Sequence, residues 1–146
     1  MSLAAKLRRA PGRVATGAFI LNSGLSKLNA DEHGAAGIHG MASGAYPFLG
    51  KVSPTIFTKA LAVTEVLIGS ALLLPIVPAG LAGIALTSFA GGLIGLYART
   101  PGVHDAKFRP TEAGTALAKD IWMAGVGVGL IIDAALSESR VTKTED

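Results

Sequence analysis

Cysteine is missing from this 146-residue chain. Its absence excludes disulfides, thiolate-held iron–sulfur clusters and any thiol chemistry of the chain's own. Charge is scarce too: Asp, Glu, Lys and Arg supply 16% of the residues, against about 25% in soluble domains. Aromatic residues reach only 5%, while glycine occurs 19 times. Large side chains are thus too few to fill a core, and close approach of backbones must do so, as it does between helices in membranes. A nucleic-acid footprint is also lacking. The net charge of +3 comes from scattered basic residues, with no stripe of Lys and Arg interleaved with aromatics. No Ser-His-Asp pattern, phosphate-binding loop, internal repeat or low-complexity tract is visible.

What is present is apolar. Half the residues are hydrophobic and the mean hydropathy is +0.50, which places the chain in the membrane class. Residues 66–98 form a run of 33 without a single charge. One helix of that length would measure about 50 Å, against a hydrocarbon core of about 30 Å. The run must fold back, and Pro75, Pro78 and Gly80 in its middle supply the break.

The expected architecture is all-α, a single domain over 1–146 built as a four-transmembrane-helix bundle, with helices near 13–29, 54–75, 79–98 and 112–136 and a polar tail over 137–146. Lys6, Arg8, Arg9 and Arg13 precede the first span like the n-region of a signal peptide. Asn22, Ser23, Lys27 and Asn29 interrupt the apolar run behind them and no small-residue cleavage site closes it, so a retained helix is expected. The segment between helices 1 and 2 is rich in Gly and Ala, and Ile38, Met41, Tyr46, Phe48 and Leu49 within it suggest a short interfacial helix, with a plain extracytoplasmic loop as the alternative. Trp122 stands where an interfacial aromatic should. Basic residues number six on the side of the termini and seven on the other, a near tie. The N-terminal cluster abuts the first helix, whose flank usually dominates, so both termini are expected in the cytoplasm.

Ionisable residues inside a span cost roughly 2.5–3.5 kcal/mol on insertion scales, so each needs a reason. Glu65, about twelve residues into the second helix among apolar neighbours, is the prime candidate, either as a proton-handling or ligand-anchoring acid or as a polar clasp between helices. Lys27 is placed to reach Glu65 or Asp120, with snorkelling to the surface as the alternative, and Asn22 and Ser23 are expected to extend a polar lining on helix 1. Arg13 and Asp133 fall at one depth and are expected to pair. Gly91 with Gly95, and Gly125 with Gly129, have the GxxxG spacing that lets another helix, or a second copy, approach. The run Gly125-Val-Gly127-Val-Gly129 imitates part of a dinucleotide fingerprint but follows no strand. His33, His39 and His104 all fall in the two outer connections, away from where haem would need facing helix ligands, and their spacing with nearby acids matches no metal site.

Arg13-x3-Gly17-x-Phe19-x4-Gly24-x2-Lys27-Leu28 in the first helix, Glu65-x3-Gly69 in the second and Asp133 closing an apolar fourth together resemble the DoxX family of small bacterial membrane proteins, over most of the chain from Arg13 to about Asp133. The fourth helix departs from that pattern, ending Gly-Leu-Ile-Ile-Asp in place of a Ser-Leu-Asp-like close. The resemblance implies a multi-pass protein of the bacterial plasma membrane and an accessory or scaffold role beside a membrane redox or respiratory complex, without independent catalysis. The alternative it implies is a quinone- or small-molecule-binding oxidoreductase component centred on Glu65 and Lys27, quinone being the one cofactor it brings in. The lipid bilayer is the partner that composition itself requires.

Overall fold

The computed structural model describes residues 3–142, with side chains described through residue 137. Its regular elements are helical, in the order α1 (Leu3–Leu28), α2 (Glu32–Ala45), a 3₁₀ turn (Pro47–Lys51), α3 (Pro54–Leu73), α4 (Ala79–Arg99), α5 (Thr115–Ala118) and α6 (Ile121–Thr142). Three segments are long and apolar enough to cross a membrane: Pro54–Leu73, Ala79–Arg99 and Thr115–Ser137. α1, at 26 residues, has the length but is too polar to qualify on composition.

Local chemistry sets the helix ends. Ser53 caps α3, its hydroxyl accepting from Ile56 N–H, with Pro54 in the first turn, where a missing N–H costs nothing. α3 stops at Leu73, ahead of Pro75, because the residue before a proline is pushed out of the helical region. The hairpin expected from the uncharged run is therefore formed, its turn spanning 74–78.

Three boundaries differ from expectation, and the connection between expected helices 1 and 2 takes the helical alternative. α1 begins at Leu3, ten residues before the expected start, and carries Pro11 inside it. The proline removes one backbone hydrogen bond, but Arg8 and Arg9 on one side of it and Arg13 on the other are tethered to neighbouring helices. The connection over 30–53 contains a 14-residue helix capped by Asp31, whose side chain accepts from Gly34 N–H. The fourth expected helix, 112–136, is broken: α5 is a single turn, and the chain is irregular at Lys119 and Asp120 before α6 begins. α6 then runs to Thr142, into the expected polar tail. Lys143 and the Arg140 side chain, counted in the charge tally, lie outside the described residues.

Helices pair as two antiparallel couples, α1 along α3 and α4 along α6, with fewer contacts between couples. Glycines make the close crossings. A Cβ on Gly24 would fall 2.8 Å from the Ala62 carbonyl oxygen, and one on Gly69 would fall 2.6 Å from Leu21 N. Gly83 fits equally tightly against Gly127 O. The expected GxxxG pairs do not make these contacts: Gly91, Gly125 and Gly129 face open space, and Gly95 faces Tyr46 and Arg99. Spacing identified a small-residue stripe, but helix rotation turned a different stripe inward.

Between the couples, Ile20, Leu72, Leu86, Met123 and Leu130 form the centre of the core. Outward-facing positions stay apolar, including Ile56, Leu67, Ile84, Ile121 and Ile132. Such a surface, apolar inside and out, suits helices surrounded by lipid. α2 lies against α3 and α4 at the end opposite the chain termini. Beside it the loop after α4 is braced by Asp105, which accepts from Lys107 and Arg109 N–H, and by His104 stacked on Phe108.

Candidate functional site

The end of the molecule bearing the termini is held by arginines. Arg13 shares the α1 face of Thr16, Gly17, Ile20 and Gly24, all buried, and so points at α3. There the last turn leaves carbonyls without intrahelical donors. The Arg13 guanidinium meets two of them, donating to Leu72 O at 2.7 Å and Ala71 O at 2.9 Å, and also reaches Leu74 O of the cap at 2.8 Å and Val77 O of the following turn at 3.1 Å. A cation at a helix C-terminus is also favoured by the helix dipole. Arg13 is therefore not the partner of Asp133. That carboxylate is taken by Arg8 and Arg9, and both guanidiniums reach Ser137 as well. Arg13 and Asp133 were expected at one level, but Asp133 lies about one helical turn nearer the chain termini, level with Arg8 and Arg9.

At the opposite end the helices enclose a cavity of about 750 Å³, large enough for a lipophilic small molecule. α1, α3, α4 and the start of α6 form its walls, and Gly34, Gly37, Ile38 and Met41 of α2 cover it. Phe19, Phe57, Phe89 and Met123 make much of the lining apolar. Tyr46 anchors the end of α2 by donating to Gly92 O at 2.9 Å.

Charge is concentrated on one side of this cavity. Lys27 Nζ lies 2.9 Å from Glu65 Oε2 and 3.0 Å from Oε1, and donates to Ser23 Oγ at 2.6 Å. Side-chain exposure is 22% for Lys27 and 7% for Glu65, so the pair is largely withdrawn from solvent. Ser23 and Lys27 are one helical turn apart and present together. Asn22, rotated by about 100° from Ser23, is exposed and lies off the cavity, so it does not extend the polar lining. Asp120 does line the cavity, at the irregular step before α6, and is 9% exposed. It makes no ion pair with Lys27, whose ammonium is held by Glu65.

Trp122 packs edge-on against Phe19 at 6.0 Å between ring centres and is partly exposed. His33 is exposed on α2, and His39 reaches the Leu49 carbonyl oxygen at 3.0 Å. No group of three His, Asp or Glu among the described residues is placed to hold a metal ion.

A short helix at α2 was legible from its scattered apolar residues, but not that it covers a cavity. The break in the fourth helix at Lys119 and Asp120 escaped sequence reading, since no proline announces it. Among known proteins, no family model, curated protein or solved structure matches the chain.

Proposed function

We propose that this chain is a DoxX-like, four-transmembrane-helix protein of the bacterial plasma membrane, with both termini cytoplasmic, that holds a lipophilic small molecule in the cavity beneath α2. The observation that carries the proposal is the cavity itself. It is apolar over most of its lining and carries a buried Lys27–Glu65 pair on one side, the combination of apolar body and few polar groups that marks a ligand site. In this reading α1 completes the bundle as its fourth span. Its Arg13 and Lys27 are accommodated by carbonyls and by Glu65 respectively, which removes much of the cost of spanning. The pair acts as an orienting element at the polar end, and no reaction is assigned to the chain alone.

A second reading, an accessory subunit docked on a membrane redox complex, draws on the outward-facing Gly91, Gly125 and Gly129, whose missing side chains leave room for another helix.

Purification in mild detergent separates the two. Organic extraction of the wild-type protein should yield one class of lipophilic molecule at about one per chain, as one cavity requires, and Glu65→Gln should lower its retention. Recovery of a stoichiometric partner protein with no retained small molecule would instead support the docked subunit and defeat the ligand reading.

A further inference from the structure

Four charged side chains line the cavity, Lys27, Lys119, Glu65 and Asp120, and the way each is engaged restricts what the cavity can receive. An ammonium has three N–H donors, and Lys27 directs all three inward, to Ser23 Oγ and to both oxygens of Glu65. The pair is closed and offers no donor to a ligand. Tyr46 likewise gives its hydroxyl proton to Gly92 O.

Asp120 is different. Its side chain lines the cavity and makes no hydrogen bond or ion pair among the described residues, and the residue as a whole is 9% exposed. Lys119, Glu65 and Lys27 are the charged groups near enough to influence it. None of the three satisfies it. Lys27 is engaged by Glu65, Glu65 is itself an acceptor, and Lys119 is exposed with its ammonium 5.6 Å from the ring centre of Phe19. A buried carboxyl group without a donor is unfavourable until a donor or cation meets it. Aromatic rings add to the preference: Phe19, Phe57 and Phe89 all line this cavity, and ring faces attract cations, as Lys119 over Phe19 already illustrates.

Resting on the reading of the cavity as a site for a lipophilic molecule, we infer that its ligand is an amphiphile with a protonated amine head, for which Asp120 is the counter-ion and the apolar lining the seat of the hydrocarbon part. A quinone's carbonyl oxygens only accept hydrogen bonds, so it would leave the Asp120 carboxylate without a donor. An anionic head offers Asp120 no donor and is repelled by its charge.

Three probes of equal chain length test the assignment: decylamine, decanol and decanoate, each added to the detergent-solubilised full chain and counted by native mass spectrometry. Wild-type protein should bind decylamine at least about tenfold more tightly than either of the others, a difference of about 1.4 kcal/mol. In Asp120→Asn, decylamine should fall to the level of decanol while decanol binding is unchanged, which also shows that the variant is folded. Decanol binding in wild type with no preference for the amine, or a preference that survives Asp120→Asn, would overturn the amine assignment and leave the cavity reading standing. If none of the three binds at about one per chain, the cavity reading fails and the amine assignment fails with it.

Discussion

Removing one member of the Lys27–Glu65 pair should be far more damaging than removing both. At 2.9 Å and an effective dielectric of about 20, the Coulomb attraction is on the order of 5–6 kcal/mol. Desolvation of the two groups offsets most of it, so the net contribution of an intact pair is small. Loss of one partner is another matter, because it leaves the other buried and unmatched, at about 3–5 kcal/mol. The two single variants should therefore be unequal. Lys27→Met strands Glu65, whose side chain is 7% exposed, whereas Glu65→Leu strands Lys27, which at 22% exposure can turn its ammonium toward water. We expect losses of about 3 kcal/mol for Lys27→Met and about 2 kcal/mol for Glu65→Leu, with Lys27→Met/Glu65→Leu within about 1 kcal/mol of wild type. Denaturant unfolding in detergent micelles of the four proteins measures the cycle. A coupling energy below about 0.5 kcal/mol, the range of exposed surface pairs, would refute the placement of this pair in a low-dielectric interior.

Other expectations follow from the packing. Gly69→Val puts a branched side chain where a Cβ already falls 2.6 Å from Leu21 N, so α1 and α3 must separate and stability should drop by more than about 2 kcal/mol, overpacking adding to lost contacts. Gly125→Ala and Gly129→Ala meet open space and should leave the monomer as stable or slightly more so, by up to about 1 kcal/mol from helix propensity; a large loss would show that these faces are covered. Thr16→Val should be neutral or raise the unfolding midpoint, since the buried Thr16 hydroxyl has no partner. Because the chain has no cysteine, Lys6→Cys and Lys107→Cys give clean topology reporters: a membrane-impermeant maleimide applied to intact cells should label the second and spare the first, and the reverse pattern would invert the proposed orientation.

Much of the fold was legible along the chain. Hydropathy is a local property, so the uncharged run and its prolines determined α3, α4 and the turn between them without reference to anything else. The candidate acid was legible for the same reason: a carboxylate among apolar residues at Glu65 is costly wherever the helix goes, and Lys27, within one turn of the expected outer end of helix 1, was a natural partner.

What the sequence could not determine was rotation and axial register. Arg13 and Asp133 were expected at one depth, yet Asp133 lies a turn away, level with Arg8 and Arg9, while Arg13 meets the carbonyls of α3. Asn22 and Ser23 are adjacent, yet only Ser23 reaches the cavity. Gly91 and Gly125 have the spacing for close packing, yet Gly24, Gly69 and Gly83 perform it. Each of these outcomes depends on which face of a helix meets which neighbour, and a helix with apolar residues on every side carries no strong stripe to declare its inward face. Composition and hydropathy determined by themselves that this chain has apolar helices of membrane-spanning length and where the central ones break. Only the tertiary structure decided which polar groups meet, because backbone contact at glycines, and not hydrophobicity, sets the rotation of helices whose whole surface is apolar.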